Sequence, residues 1–145
     1  MSNKGKNIKT IVISMSLLLI VSIFSGCGSS HPPYPSDELL ITGYKNNKKL
    51  FLELISDPGK RDLLSSLKIS RVLVRSSEPK LVWYEVWSHD LFGPGGCVKG
   101  YAYSNEKLSC VKSIDEAITS PCEPEQKELY RSIQGKWYLY YVSSN

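Results

Sequence analysis

The sequence lacks the short motifs that mark the common classes of enzyme. It contains no Gly-x-Ser-x-Gly, no phosphate-binding loop, no His-Glu-x-x-His and no dinucleotide-binding fingerprint. Its 4 cysteines show no Cys-x-x-Cys spacing, which argues against a zinc site. The chain also contains no internal repeat. We therefore expect no metal ion, no cofactor and no enzymatic activity.

The sequence also lacks an apolar run long enough to remain in a membrane as a helix. Residues 11–24 are apolar apart from three serines. At about 1.5 Å per residue this run would reach about 21 Å, less than the roughly 30 Å hydrocarbon core of a bilayer. Lys4, Lys6 and Lys9 precede the run, with no acidic residue among them. A short apolar run behind a basic leader is typical of a secretory signal peptide.

The apolar run ends at the four residues Phe24-Ser25-Gly26-Cys27. They resemble the lipobox of bacterial lipoproteins. The resemblance implies that the Cys27 thiol is joined to a diacylglyceryl group and that residues 1–26 are removed. Acyl chains gain about 0.8 kcal/mol per buried methylene, and two or more chains hold a protein on a membrane. The resemblance also implies a place in the cell envelope. The residue after the cysteine is Gly28 and not Asp, and in lipoproteins this argues against retention in the inner membrane. The resemblance therefore implies the outer membrane, facing the periplasm, if the organism is Gram-negative.

The net charge of +4 belongs largely to the leader. Removing residues 1–26 takes away three of the 18 Lys and Arg residues and none of the 14 acidic ones, which leaves +1. A near-neutral chain lacks the basic patch that nucleic-acid binding requires, so we expect no nucleic-acid partner. Residues 27–36 are the lipidated cysteine and a tether rich in Gly, Ser and Pro. Residues 37–145 are expected to form one domain.

Three cysteines remain besides Cys27, in a compartment where disulfides persist. A hairpin turning at Ser104–Lys107 would place Cys97 roughly 13 Å from the position that faces Cys110, too far for a disulfide. We therefore predict a Cys97–Cys122 disulfide, with Cys110 as a small buried apolar residue. The alternative is that all three cysteines are free and buried.

Apolar patterning predicts that much of the domain is made of strands. Strands are expected over residues 38–44, 48–56, 70–76, 80–88, within the hairpin over 97–113, and over 136–142. The first two would pair around a polar turn, and the next two would form a second hairpin.

Helix-start signals predict two or three helices. Asp57 as N-cap, followed by Pro58, predicts one helix. Ser113 and Glu116 have the spacing of a capping box at the start of a short second helix. Residues 123–135, with an acidic first turn, predict a third. The expected fold is α+β, an antiparallel sheet of about five to seven strands with two or three short helices on one face and one disulfide.

Aromatic alternation in the fourth strand predicts a binding surface. Trp83, Glu85 and Trp87 would share one face, and an acid between two tryptophans suits a solvent-facing surface. Such aromatic residues are enriched where partners are bound. His89 and Phe92 would lie near the same contact surface. The alternative is that both tryptophans pack under a helix, with Glu85 at the rim.

A hydrolytic site would combine His89 and Asp90 with Cys97 as nucleophile. Residues adjacent in sequence rarely orient one another as base and carboxylate, so we expect a turn histidine and aspartate beside a disulfide cysteine instead.

The leading hypothesis is a small lipid-anchored protein of the bacterial envelope that acts as a protein-binding module or accessory subunit. The membrane, through Cys27, and an envelope protein are its expected partners. An immunity or inhibitor protein against a cell-wall-acting enzyme is the alternative, and a hydrolase using His89 is less favoured. A structural spacer is a third hypothesis.

Overall fold

The structure is a computed structural model that describes residues 33–89, 96–122 and 125–144. The described residues belong to one compact unit that starts at Pro33, slightly before the expected start at Asp37. The leader, Cys27, Asp90 and Phe92 lie outside the described residues. None of the helices in the described ranges has the length and apolar composition that a bilayer crossing requires.

Four helices and five strands make up the described part of the chain. In chain order they are α1 (Asp37–Asn46), α2 (Lys48–Ser56), α3 (Arg61–Ser66), β1 (Arg71–Ser77), β2 (Lys80–His89), β3 (Cys97–Ser104), α4 (Ile114–Ala117), β4 (Lys127–Gln134) and β5 (Trp137–Ser143).

The five strands form one antiparallel sheet in the order β1-β2-β3-β5-β4. β3 lies at its centre, and all eight of its residues are buried. β1 and β4 form the two edges. The expectation of an α+β fold with an antiparallel sheet is confirmed, with a strand number at the low end of the predicted range and four helices in the described residues instead of the two or three expected.

The first predicted hairpin is wrong, because residues 38–44 and 48–56 form helices. Ser36 caps α1 by accepting a hydrogen bond from the Leu39 N–H at 3.2 Å. In α2 the buried side chains are Phe51 and Leu54, three residues apart, which is a helical rather than a two-residue spacing. Both segments are apolar enough to be predicted as strands, but packing against the rest of the protein favours the helix.

The helix expected from Asp57 begins later, at Arg61, with Lys60 as its N-cap. The short helix α4 is found where it was expected. The Ser113 hydroxyl accepts the Glu116 N–H at 3.2 Å, which is half of the predicted capping box.

The helix predicted over residues 123–135 is wrong, because residues 127–134 form the edge strand β4. Leu129 and Ile133 are four apart, a spacing that one face of a helix and one face of a strand both allow. Pairing with β5 decides between them, and Tyr130 then becomes buried on the opposite face. Gly135, at φ +60°, makes the turn between the two strands.

The predicted hairpin around Ser104–Lys107 is also wrong. β3 pairs with β2 and β5, and the chain leaves the sheet after Ser104. Cys110 is therefore exposed rather than buried. The Cys97–Cys122 disulfide is confirmed, with the two Cα atoms 5.1 Å apart.

The helices cover one face of the sheet. The helix-side core joins helical and strand residues, among them Leu40, Phe51, Leu54, Tyr84, Ile114 and Leu139. A second-face cluster lies on the other side of the sheet and consists of Trp83, Val98, Ala102, Tyr130, Tyr138 and Tyr140.

A β-bulge in β2 divides the two predicted surface tryptophans. The register with β3 shifts between Glu85 and Trp87, so that Trp83 joins the second-face cluster and Trp87 the helix-side core. Gly100 lies opposite the bulge, where a Cβ atom would overlap the Tyr84 carbonyl oxygen.

Gly100→Ala is therefore expected to destabilise the domain by about 1–3 kcal/mol, because the added methyl group forces the backbone of two central strands apart. Urea denaturation measures the free energy of unfolding. The matched control is Gly59→Ala, where nothing lies within 4 Å of the added Cβ, and it should change stability by less than about 1 kcal/mol. Equal stability of the two variants would contradict the bulge geometry.

Replacing both disulfide cysteines, Cys97→Ala with Cys122→Ala, should lower the free energy of unfolding by about 3 kcal/mol, because the bridge closes a loop with a sequence separation of 25. Cys110→Ser serves as the control and should have little effect, since that thiol is exposed. Peptide mapping without reductant checks the pairing itself. A bridge that includes Cys110 would contradict the structure.

Candidate functional site

The described residues of the expected partner-binding surface do not form one solvent-facing surface. Trp83 is 4% exposed and Trp87 is 6% exposed, and they lie in clusters on opposite faces of the sheet. Glu85, at 3% exposure, is equally buried. The prediction of a shared exposed face is therefore wrong, and the β2 bulge is its physical reason.

Trp83 has its contacts inside the protein. Its indole stacks on Tyr140 with ring centroids 4.7 Å apart, and its N–H donates to the Tyr130 hydroxyl at 3.1 Å. The Arg75 guanidinium lies 4.4 Å from the centroid of the same indole. These contacts explain Trp83 as a packing residue.

Glu85 is paired with Arg71 of β1 and hydrogen-bonded to Ser70, the residue before that strand. The Arg71 guanidinium donates two hydrogen bonds to one carboxylate oxygen, at 3.0 and 2.7 Å, and the Ser70 hydroxyl donates to the other at 3.3 Å. A paired carboxylate of this kind is a structural link between two strands.

Cys97 cannot serve as the nucleophile of the hydrolytic site considered from the sequence. Cys97 is oxidised in the disulfide with Cys122, so it has no thiolate to offer. His89 lies opposite Cys97 in the β2–β3 register, and its ring centroid is 6.3 Å from that of Trp87.

A surface pocket of about 340 Å³ has a lining suited to a small ligand. We call it the Trp137 pocket. Its lining is aromatic and aliphatic, with a few polar groups, as is usual for small-molecule sites. The residues that line it are Tyr44, Lys48, Leu52, Ile55, Tyr103, Gln134, Gly135, Lys136 and Trp137.

Helix α2 supplies one wall of the Trp137 pocket. Lys48, Leu52 and Ile55 follow one another at intervals of four and three residues, so they share one face of the helix. The buried Phe51 and Leu54 lie on the neighbouring face and fix the helix against the sheet. Leu52 is 62% exposed although it is a large apolar residue.

The sheet and helix α1 supply the aromatic wall. Trp137 begins β5 and lies opposite Tyr103 of β3, with their ring centroids 5.3 Å apart. Tyr44 of α1 lies 6.0 Å from Trp137, measured between ring centroids, and burial raises the pKa of the Tyr44 phenol. The Trp137 indole N–H is buried and has no acceptor within the described residues.

The charged residues that line the Trp137 pocket are of one sign. Lys48 and Lys136 line it, and the lining contains no Asp or Glu. Lys80 lies beside it, with its Nζ 5.7 Å from the Tyr103 ring centroid and 3.1 Å from the Ile55 carbonyl oxygen. The pocket therefore offers an apolar interior with a positive margin.

A larger pocket of about 610 Å³ is less suited to binding a ligand. Residues 105–110 form most of its lining, and much of that stretch is polar and exposed. Cys110 lines it, and although the residue is exposed, partial desolvation raises the pKa of its thiol, which disfavours the reactive thiolate.

Sequence reasoning missed the Trp137 pocket because it assigned residues 48–56 to a strand. In a strand, Lys48 and Leu52 share a face with Leu50 and Leu54, whereas a helix places them with Ile55. The helical spacing was present in the sequence and could have indicated this face. The contribution of Tyr103 and Trp137 depends on strand pairing, which no local signal shows.

A buried ion cluster lies in the same domain. The Lys99 side chain is completely buried, and its Nζ lies 2.7 Å from Asp37 Oδ1 and 2.6 Å from Asp115 Oδ1. Arg131 Nη1 donates to the other oxygen of Asp37 at 2.9 Å. The Tyr34 ring lies beneath the ammonium, whose Nζ is 4.3 Å from the ring centroid. Within the described residues, no group of His, Cys, Asp and Glu has the arrangement of a metal site.

The cluster sets the ionisation of Asp37 and Tyr34. Burial acts to raise the pKa of Asp37, but hydrogen bonds from Lys99 and Arg131 hold it below its ordinary value. Burial raises the pKa of Tyr34, and the charges of Asp115 and Asp37 raise it further. Because its charges are paired within the cluster, we interpret it as a structural element that secures the start of α1.

Asp37→Asn should lower the free energy of unfolding by about 3–5 kcal/mol at pH 7, because it leaves buried Lys99 with one carboxylate. Asp37 has a lowered pKa when folded. Its stabilising effect is therefore complete above the ordinary Asp pKa of about 3.9 and is lost as the pH falls below that value.

Denaturation of both proteins at pH 7 and pH 3 tests this, and the difference between the native protein and Asp37→Asn should shrink at pH 3. Asp62→Asn, at an exposed carboxylate, should leave stability almost unchanged. A variant at position 37 as stable as the native protein at pH 7 would show that the cluster does not stabilise the fold.

Comparisons with protein-family models, with curated proteins and with solved structures found no match to this chain. What the protein does is therefore inferred from its own residues and geometry.

Proposed function

We propose that this protein is a small lipid-anchored binding protein of the bacterial envelope. The basic leader, the short apolar run and the lipobox-like residues ending at Cys27 support the anchor. The Cys97–Cys122 disulfide suits an oxidising compartment outside the cytoplasm.

The Trp137 pocket is the observation that carries the binding role. It combines three aromatic side chains with an exposed leucine, and apolar surface of this kind in a concave site marks binding. Its lining contains no Ser, Cys, His, Asp or Glu, so it offers no serine or cysteine nucleophile paired with a histidine or carboxylate base. Binding is therefore favoured over catalysis at this site.

The size of the site bears on the kind of partner. A stable protein–protein interface buries about 800 Å² on each partner, whereas pockets of about 300–1,000 Å³ are typical for small molecules. The Trp137 pocket, at about 340 Å³, is at the lower end of the small-molecule range. The accessory-subunit and immunity-protein roles stay predictions from the sequence.

Metabolic labelling with an alkyne-bearing fatty acid tests the anchor. Cells producing the full chain should yield a labelled protein in the membrane fraction. Cys27→Ser should abolish the label and leave the precursor unprocessed. Cys110→Ser is the control and should be labelled normally, because the lipobox-like residues surround only Cys27. Label on the Cys27→Ser protein, or none on the native one, would contradict the proposal.

A further inference from the structure

We infer that the Trp137 pocket binds an amphipathic anion, a small ligand with a compact apolar body and one anionic oxygen head. This inference rests on the proposed binding role and adds to it the chemical class of the ligand. The apolar body would lie against the aromatic wall and Leu52, with the head between Lys48 and Lys136.

The apolar body follows from the walls of the pocket. Trp137, Tyr44 and Tyr103 present large rings, and Leu52 and Ile55 face them from α2. Leu52 is 62% exposed, while Leu54 of the same helix is fully buried, so the apolar surface of Leu52 is left over from folding. Covering it with an apolar ligand removes that surface from water, which is favourable at about 25 cal/mol per Å².

The anionic head follows from the charge at the margin. Two lysines and no carboxylate line the pocket, and neither lysine pairs with a carboxylate of the described residues. Lys136 Nζ has only a weak contact, 3.3 Å from the Asn105 side-chain oxygen. Both ammonium groups are thus free to bind an anion.

The place of Lys48 in its helix supports the same conclusion. It is the first residue of α2, whose first turn contains no acidic residue and whose N-cap, Asn47, makes no capping hydrogen bond with its side chain, which donates to the Gly43 carbonyl oxygen instead. A cation at a helix N-terminus is unfavourable, because the backbone N–H groups there already carry partial positive charge. An anion bound there would be attracted by the lysine and by the first backbone N–H groups of α2.

Indole NMR signals of the full chain, held in phosphatidylcholine nanodiscs, provide the test. The protein has three tryptophans, and Trp83 and Trp87 lie outside the pocket, so their signals serve as internal references. Octanoate is the first probe. Octyl phosphate distinguishes a phosphate from a carboxylate head, while octanol and octyltrimethylammonium keep the chain and change the charge.

The two anions should shift the Trp137 signal in a saturable way. The one that binds with higher affinity identifies the head group as a carboxylate or a phosphate. The neutral and cationic probes should bind roughly three- to tenfold more weakly, as expected for the loss of contacts to two exposed lysines. Raising the salt concentration should weaken the anions selectively.

Charge-matched variants test the residues. Lys48→Gln with Lys136→Gln should weaken octanoate binding roughly three- to tenfold. Lys45→Gln with Lys49→Gln removes the same charge from exposed residues outside the pocket lining, and it should leave the affinity unchanged. Leu52→Asn should weaken all four probes, whereas Leu39→Asn, at a leucine that is 63% exposed elsewhere, should weaken none.

Two results would overturn the inference. The absence of a saturable Trp137 shift with any probe would show that the pocket takes no such ligand. Equal binding of octanoate and octyltrimethylammonium would show that the lysines do not select an anion. The labelling of Cys27 is independent of both results, so a failed inference is distinguishable from a failed anchor.

Discussion

Lys99 is buried without solvent contact at the centre of the sheet, and the fold can hold its charge only by bringing carboxylates to it. Asp37 comes from the first turn of α1 and Asp115 from α4, and Arg131 of β4 completes the neutralisation of Asp37. A buried charge without partners costs several kcal/mol, so these elements have little freedom to separate. The backbone adds to the link, because the Asp37 N–H donates to Asp115 and the Ile114 N–H donates to Asp37, at 2.7 and 2.8 Å.

The same constraint determines where the candidate site lies, because the ion cluster fixes the start of α1 and the site lies at the other end of that helix. Once the start of α1 is secured, Tyr44 lies at its other end, beside the first turn of α2 and the ring of Trp137. Phe51 then packs between the two layers, with its ring centroid 4.7 Å from Tyr101 and 5.0 Å from Trp137. The pocket is thus bounded by elements that the core already holds in place, which suits a site formed before the ligand arrives.

The sequence and the structure agree best where local signals act alone. The Ser113 half of the capping box and the strands around 70–76, 80–88 and 136–142 depend on short-range preferences. The predicted Cys97–Cys122 pairing is confirmed, but the hairpin from which it was predicted does not form, and Cys110 is exposed.

Two of the failures arise because the apolar residues of one segment can be assigned either to a face of a helix or to a face of a strand. The sequence predicts a strand over residues 48–56, which form a helix, and a helix that includes residues 127–134, which form a strand. The candidate surface failed for a different reason. One extra residue in β2, accommodated opposite Gly100, reverses the face of every side chain beyond it.

By itself the sequence determined the basic, apolar and lipobox-like pattern of residues 1–27, the near-neutral charge of the rest and the α+β class, because each depends on composition or on neighbours along the chain. Only the tertiary structure decided that Lys99 is buried between carboxylates, that Trp83 and Trp87 lie on opposite faces, and that Lys48, Leu52 and Trp137 meet in one pocket. These depend on strand register and on which helix face meets the sheet. Both are settled by the burial of residues far apart in the chain, so no local pattern contains them.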